Sequence, residues 1–306
     1  MRNIFIKELI SEAKRNEKIF LLVGDIGYSV IEEYRSMFPD RFLNCGVAEQ
    51  NMTGIAAGLA LEGYKVFTYS IANFNTFRCI EQIRNDVCYN NLDVTIVSVG
   101  GGFSYGNLGY SHHAVQDIGL MALMPNISLL LPGNSMQVKY CTNYSFEFSN
   151  PKYLRLGKTG DQLNSELLEK CAVVNTVYRG VNNNTAILST SNILSVASKV
   201  KKKLNKINSD IDLYSVSIID KNFNEAINRI CLKYEYVFTI EEHLDTLGFG
   251  SLVQKALELT SIKVITLGLD NSTYKKVGGQ NYLRNLSGLD PYTIANKILS
   301  YKKKFN

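Results

Sequence analysis

No apolar run in this chain is long enough to cross a bilayer, no two cysteines stand in a Cys-x-x-Cys pair, and there are only three histidines. The first absence excludes a helical membrane protein. The second argues against a zinc finger or a disulfide scaffold, because the six cysteines (Cys45, Cys79, Cys88, Cys141, Cys171, Cys231) are scattered, which fits a reducing cytoplasm. Basic residues do not interleave with aromatics. The net charge of +5 is spread along the chain. Its tight basic runs, Lys201–Lys203 and Lys302–Lys304, read as solvated helix ends, so no nucleic-acid partner is expected. The N-terminus is not expected to act as a leader peptide. Ile6, Leu9, Ile10 and Ala13 form one face of an amphipathic helix interrupted by charges. The expectation is a soluble, cytoplasmic protein with no metal site of its own.

What is present is 306 residues, 45% hydrophobic and 20% charged, enough for two globular domains. Short β-branched runs alternate with helical patterns. Strands are expected at Ile19–Val23, Val66–Tyr69, Val94–Val99, Ile127–Leu131, Thr185–Thr190, Ile211–Val216, Tyr236–Ile240 and Ile262–Leu267. Helices are expected near Ile4–Lys14, Ala48–Glu62, Phe74–Tyr89, Val115–Leu123 and Ser135–Phe148. Four more follow near Ile193–Leu204, Phe223–Lys233, Phe249–Leu259 and Pro291–Tyr301. Continuously apolar strands separated by helices imply mostly parallel sheets covered on both faces, hence two consecutive α/β/α domains. The rhythm breaks between Asn150 and Asn184, giving domains at 1–165 and 185–306 with a linker at 166–184.

The segment Asn44-Cys-Gly-Val-Ala-Glu-Gln-Asn-Met carries the clearest chemical pattern. Gly46 permits a tight turn, a helix starts near Ala48 with Met52, Ile55, Ala56 and Leu59 as its apolar face, and Gly63 ends it. Glu49 therefore sits in a first helical turn after a strand, where open α/β sheets bind ligands. Read alone, an acidic residue there is a helix-dipole partner.

With its neighbours the block resembles the transketolase superfamily. The resemblance continues through Tyr69-Ser-Ile-Ala-Asn-Phe74, Glu81-Gln-Ile-Arg-Asn85, Gly106-Asn-Leu-Gly-Tyr-Ser-His-His113 and Pro151-Lys-Tyr-Leu-Arg-Leu-Gly-Lys158. It resumes at Phe238-Thr-Ile-Glu-Glu-His-Leu244 and Gly248-Phe-Gly-Ser251, so it spans nearly the whole chain in order. The resemblance implies a pyrimidine-binding domain followed by a transketolase C-terminal-like domain, and thiamine diphosphate as cofactor. In that chemistry a carboxylic acid, here Glu49, donates a hydrogen bond to the cofactor's aminopyrimidine ring, and burial, expected at a subunit interface, must keep the acid form available against the helix N-terminus. Phe74 corresponds to the aromatic platform under that ring, and Phe77 is placed to close the same pocket. Asp25 matches an aspartate beside the cofactor. His112 matches a histidine that polarises substrate oxygens, and Lys158 falls where a sugar phosphate is held. His243 resembles a feature to which no role is assigned.

Two departures narrow the reading. The diphosphate-binding half, with the ligands of its Mg²⁺ (or Ca²⁺), is missing, so the resemblance implies a separate subunit that supplies it, in an α2β2 heterotetramer. Gly24-Asp25-Ile26 with Asn51 imitates the metal motif, but Asn51 belongs to the Glu49 helix. The second departure is Leu108, which stands in place of a hydroxyl-binding aspartate, with Gly100 in place of a histidine. A less hydroxylated or unusual sugar donor is therefore expected in a two-carbon transfer to an aldose or sugar phosphate. Competing readings are the β subunit of a 2-oxo acid dehydrogenase, an acyloin enzyme like deoxyxylulose-phosphate synthase, and a non-catalytic interface partner. A nicotinamide site at Gly100-Gly-Gly102 lacks both the glycine spacing and the acidic residue it needs.

Overall fold

The computed structural model describes residues 1–158, 173–180, 184–207 and 209–305. In the first half, α1 (Arg2–Ala13), β1 (Ile19–Val23), α2 (Glu32–Met37), β2 (Phe42–Asn44), α3 (Glu49–Leu61) and β3 (Lys65–Ile71) lead to α4 (Ile80–Gln82). Then come β4 (Val94–Val99), α5 (Asp117–Ala122), β5 (Ser128–Leu130), α6 (Ser135–Glu147) and β6 (Lys152–Leu156). The second half runs β7 (Val174–Tyr178), β8 (Thr185–Thr190), α7 (Leu194–Asn205), β9 (Asp212–Val216), β10 (Ile218–Ile219) and α8 (Phe223–Cys231). It ends with β11 (Tyr236–Leu244), α9 (Phe249–Ala256), β12 (Lys263–Leu269), α10 (Gln280–Leu286) and α11 (Pro291–Phe305).

The strands form a seven-stranded sheet, ordered β10-β5-β6-β4-β3-β1-β2, and a five-stranded sheet, ordered β12-β11-β8-β9-β7. All pairs are parallel except β10–β5 and β7–β9 at the edges. Strand side chains alternate between two cores. Ile19, Leu21 and Val23 face one layer with Phe5 and Leu9 of α1, whereas Leu22 packs on the other side with Met52 and Ala56 of α3. The second sheet divides likewise, with Ile187 and Phe238 on one side and Leu188 and Val237 on the other. Two α/β domains with mostly parallel sheets result, as the periodicity predicts.

The differences are local. Val174–Tyr178, within the stretch read as a linker, is a strand paired with β9. The one extended stretch of β9 and β10 starts in the second sheet and ends in the first, where Ile218 pairs with Leu130. The helix expected over Phe74–Tyr89 is broken into a 3-10 turn (Phe77–Cys79), α4 and a π-helical turn (Ile83–Cys88). Buried Asn75 and Thr76 cause the first break. The Asn75 amide donates to the Val97 carbonyl at 3.1 Å, and the Thr76 hydroxyl donates to the Ala72 carbonyl at 2.7 Å, drawing that loop against the sheet rather than into a helix.

The domains meet around Arg155 of β6. Its guanidinium donates to Asp117 at 2.6 and 3.2 Å, to the Ala114 carbonyl at 2.8 Å, to Ser191 Oγ at 3.0 Å and to the Glu242 carbonyl at 3.3 Å. Burial alone would raise the Asp117 pKa, but the Arg155 guanidinium outweighs it and holds the carboxyl below its usual range. His243, to which the sequence assigns no role, lies beside this network. Its Nε2 accepts from the Gly119 amide at 3.2 Å and its Nδ1 donates to the Leu244 carbonyl at 2.8 Å, so the tautomer is set and the acceptor cannot also carry a proton. Burial lowers the His243 pKa. A base whose folded-state pKa is depressed contributes stability that is present above its unfolded pKa and is lost as pH falls through the folded one. Beside His243, burial pushes the Glu241 carboxyl up to about 8, which acts in the opposite sense over the same range. The role of His243 is therefore read against a variant: His243→Gln, whose Oε1 can still accept from Gly119 without titrating, should gain thermal midpoint relative to wild type on going from pH 7 to 5, and a constant difference across that range would count against this role.

Candidate active site

Five of the six loops that leave the C-terminal ends of parallel strands in the first sheet converge on one rim, because parallel strands direct all those ends the same way. Asp25 follows β1, Glu49 follows β2, Phe74 follows β3, the segment from Gly100 to His113 follows β4, and Lys158 follows β6.

The Glu49 corner is built by small residues and one amide. Asn44 Oδ1 accepts from the Gly46 amide at 3.0 Å and the Asp25 amide at 3.2 Å, while its Nδ2 donates to Asp25 Oδ1 at 3.0 Å. Gly46, at φ +71°, then turns the chain into α3. Gly24 makes room for the carboxyl: a Cβ there would stand 3.3 Å from Glu49 Cγ and 3.0 Å from Ser70 Oγ. Glu49 is the first residue of α3 and only 1% exposed. Its Oε1 accepts from Ser70 Oγ at 3.1 Å and its Oε2 from Arg78 Nη1 at 2.5 Å. Two features differ from the sequence expectation. The chain itself buries Glu49, before any partner subunit is added. The carboxyl is also paired with a cation rather than poised as a donor, since a buried carboxylate is retained only with a compensating charge.

Phe74 lies beside this pair. The Arg78 guanidinium carbon is 4.9 Å from the Phe74 ring centroid, and the His112 ring stands edge-on to Phe74 at 5.0 Å. Asn73 fixes that approach, donating to the Ser111 carbonyl at 3.0 Å and the His113 carbonyl at 3.1 Å, which ties the histidine loop to the Phe74 loop. Phe77 joins Asn73, Phe74, Arg78, Tyr110, Ser111 and Gln116 around a cavity of about 270 Å³. Burial lowers the His112 pKa, with the neighbouring His113 adding to the effect, so the ring is neutral near pH 7 and can accept or donate a hydrogen bond. His113 itself is structural. It is buried against Phe103, and its Nε2–H donates to the Gly106 carbonyl at 3.2 Å.

Three other sequence candidates are placed less centrally. Asp25 is exposed, with its carboxyl engaged by Asn44. Lys158 Nζ lies 4.9 Å from the Tyr105 ring, which in turn meets His112 at 6.3 Å. Leu108 ends a 3-10 turn, is 57% exposed and does not line the cavity. Asn51 is exposed on α3.

Sequence reading missed Arg78, Ser70, Asn73 and Tyr105. The pairing of Arg78 with Phe74 four residues earlier was the available signal for the first. Tyr105 explains Gly100: a Cβ at position 100, where φ is +97°, would stand 2.3 Å from the Tyr105 ring, which fills the space a side chain would need. Among the described residues no three His, Cys, Asp or Glu side chains cluster as metal ligands, and no helix is long and apolar enough to cross a membrane.

Comparison with known proteins agrees with this arrangement. The transketolase pyrimidine-binding domain family matches residues 1–160, and the transketolase C-terminal domain family matches residues 175–294. The chain is 29% identical over 304 residues to one of the subunits of the apulose-4-phosphate transketolase of Actinobacillus succinogenes, covering 98% of this chain and 97% of that one. It is 28% identical over 302 residues to 1-deoxy-D-xylulose-5-phosphate synthase of Clostridium perfringens, of which it spans 48%. A split-gene transketolase solved as an inactive β4 tetramer superposes with a TM-score of 0.86 at 27% identity, over 98% of this chain and 97% of the other. The two matched domains, in this order and with Glu49 buried at the rim of the first, place the chain in the transketolase family, as a subunit that carries the pyrimidine-binding and C-terminal domains.

Proposed function

We propose that this chain is the β-type subunit of a split, thiamine-diphosphate-dependent transketolase that moves a two-carbon unit to an aldose or sugar phosphate. The observation that carries the reading is the buried Glu49 carboxyl, joined through Arg78 to the Phe74 ring, with a cavity lined by Arg78 and Phe74. This geometry fits the pyrimidine end of the cofactor: a planar nitrogen heterocycle needs one carboxyl at its edge and one aromatic at its face. It does not fit the diphosphate end, because Asp25 is engaged by Asn44 and the rim offers no metal cluster among the described residues.

When bound, thiamine diphosphate supplies a nucleophilic carbon that accepts the two-carbon unit. The chain's own residues do the rest. Glu49 holds a proton at the pyrimidine edge, Phe74 orients the ring, and Phe77 with Tyr110 walls the cavity. His112, neutral and braced on Phe74, donates to or accepts from a substrate oxygen. Lys158, beside Tyr105, is the cation for a substrate phosphate, and Asp25 rests against the cofactor. Leu108, outside this cavity but in place of a hydroxyl-binding aspartate, points to a donor with fewer hydroxyls or an unusual sugar. The relatives named as subunits of apulose-4-phosphate transketolases make that sugar phosphate the first donor to test.

Mg²⁺ and the diphosphate belong to a separate α subunit, giving an α2β2 assembly in the cytoplasm. The open face of α3 supports that docking. Beyond the helix's own backbone, no described atom lies within 4 Å of where a Cβ of Gly54 or Gly58 would be, and Val47 and Leu61 are exposed nearby. Co-expression with a chain carrying the Gly-Asp-Gly metal motif is expected to give a stable complex of both subunits that binds thiamine diphosphate with Mg²⁺ and turns over apulose 4-phosphate. Failure to form the complex, or to bind cofactor, would overturn the proposal. Turnover of xylulose 5-phosphate equal to that of an ordinary transketolase would remove the argument from Leu108. Product formed only from a 2-oxo acid donor would favour the acyloin reading.

A further inference from the structure

Arg78 makes the two contacts that the cofactor's aminopyrimidine would need. Its Nη1 is 2.5 Å from Glu49 Oε2, and its guanidinium carbon is 4.9 Å from the Phe74 ring centroid. Guanidinium and aminopyrimidine share the relevant chemistry, since both are planar, nitrogen-rich groups that donate from an edge and pack by a face. They also use opposite forms of Glu49. A carboxylate accepts from Arg78, whereas a carboxylic acid donates to a ring nitrogen, so the two arrangements exclude each other. We propose that Arg78 is a self-ligand of the pyrimidine site: in this chain its guanidinium holds Glu49 and Phe74, and the cofactor binds by displacing it.

The placement suits an exchange rather than a permanent strut. The Arg78 side chain is 43% exposed, on a three-residue 3-10 turn at the mouth of the cavity, so it can leave into solvent without disturbing a core. Glu49, in contrast, is enclosed by the sheet and by Ser70 and cannot follow it. While the site waits for cofactor, Arg78 spares Glu49 an uncompensated buried charge. The cost falls on cofactor affinity. If the closed arrangement is about 90% populated, the apparent dissociation constant rises about tenfold over that of the open site.

This inference rests on the thiamine-dependent reading above, and the test separates the two. In the complex with the diphosphate-binding subunit, thiamine diphosphate is titrated by calorimetry in the presence of Mg²⁺, with wild type, Arg78→Gln and Arg78→Lys. The expected result is about tenfold tighter binding for Arg78→Gln, which keeps a polar side chain but loses the charged fork. Arg78→Lys keeps the charge without the planar face and should fall between the two. Equal or weaker binding by Arg78→Gln would overturn the self-ligand and leave the cofactor reading standing. No binding by the wild-type complex would overturn both. The exchange also has a signature without turnover. Nitrogen-15 spectra of the arginine side chains should show a protected guanidinium in the free chain, absent from Glu49→Gln and lost from wild type when cofactor is added to the complex. Persistence of that signal in the cofactor-bound complex would equally refute displacement.

Discussion

Glu49→Gln in the assembled enzyme is expected to lower kcat by about a thousandfold, or roughly 4 kcal/mol of transition-state stabilisation. The amide matches the carboxyl in size and fits the pocket formed by Gly24 and Ser70, so folding and assembly should survive. What is lost is the acid. An amide N–H donates a weaker hydrogen bond than a carboxylic acid and cannot hand over its proton, whereas proton transfer by a positioned side chain contributes about 10²–10⁴-fold to an enzyme's rate. Pre-steady-state turnover, with circular dichroism and sedimentation to show an intact complex, is the measurement. Activity within tenfold of wild type would show that Glu49 is a helix-terminus residue and nothing more. The same variant also removes the negative charge opposite Arg78, so cofactor affinity need not fall in step with kcat. A mechanism in which Glu49 only binds cofactor predicts that both fall together.

Asp117→Ala should destabilise the chain by about 3–5 kcal/mol, the usual consequence of leaving one partner of a buried ion pair uncompensated. Asp117 receives two bonds from Arg155 and one from Tyr153 OH at 2.6 Å, all in the region where the two domains meet. Without the carboxylate, the Arg155 guanidinium keeps its carbonyl and Ser191 contacts but has lost its counter-ion. For a chain of this size the thermal midpoint should fall by roughly five to eight degrees. The double variant Asp117→Leu with Arg155→Met removes both charges and should recover much of the loss, because the penalty belongs to the unpaired charge. Urea unfolding decides the matter. A single-variant loss below about 1 kcal/mol would mean that solvent reaches the pair.

Much of this architecture is legible without coordinates. β1, β3, β4 and β8 are nearly uninterrupted apolar or β-branched runs, and their two-sided burial is what such runs specify. Phe74 could be placed because it follows a strand signal, and Glu49 because a turn at Gly46 and a helical pattern frame it, although β2 before it was not among the expected strands. β6 was illegible, since Lys152 and Arg155 read as solvent-facing although both are buried. β10 has two residues and no periodicity at all, and its existence depends on the edge of β5.

The sequence by itself determined two α/β domains with mostly parallel strands, and the positions of a carboxyl and an aromatic on one rim. Periodicity and turn residues are local properties, and local spacing is enough to specify them. Only the tertiary structure decided which charges are buried and with whom. Lys152 is held by Asp93, 59 residues away, Arg155 by Asp117 at 38, and Glu49 by Arg78 at 29. Burying a charge is tolerable only beside a counter-charge, and no local pattern records a partner that far along the chain.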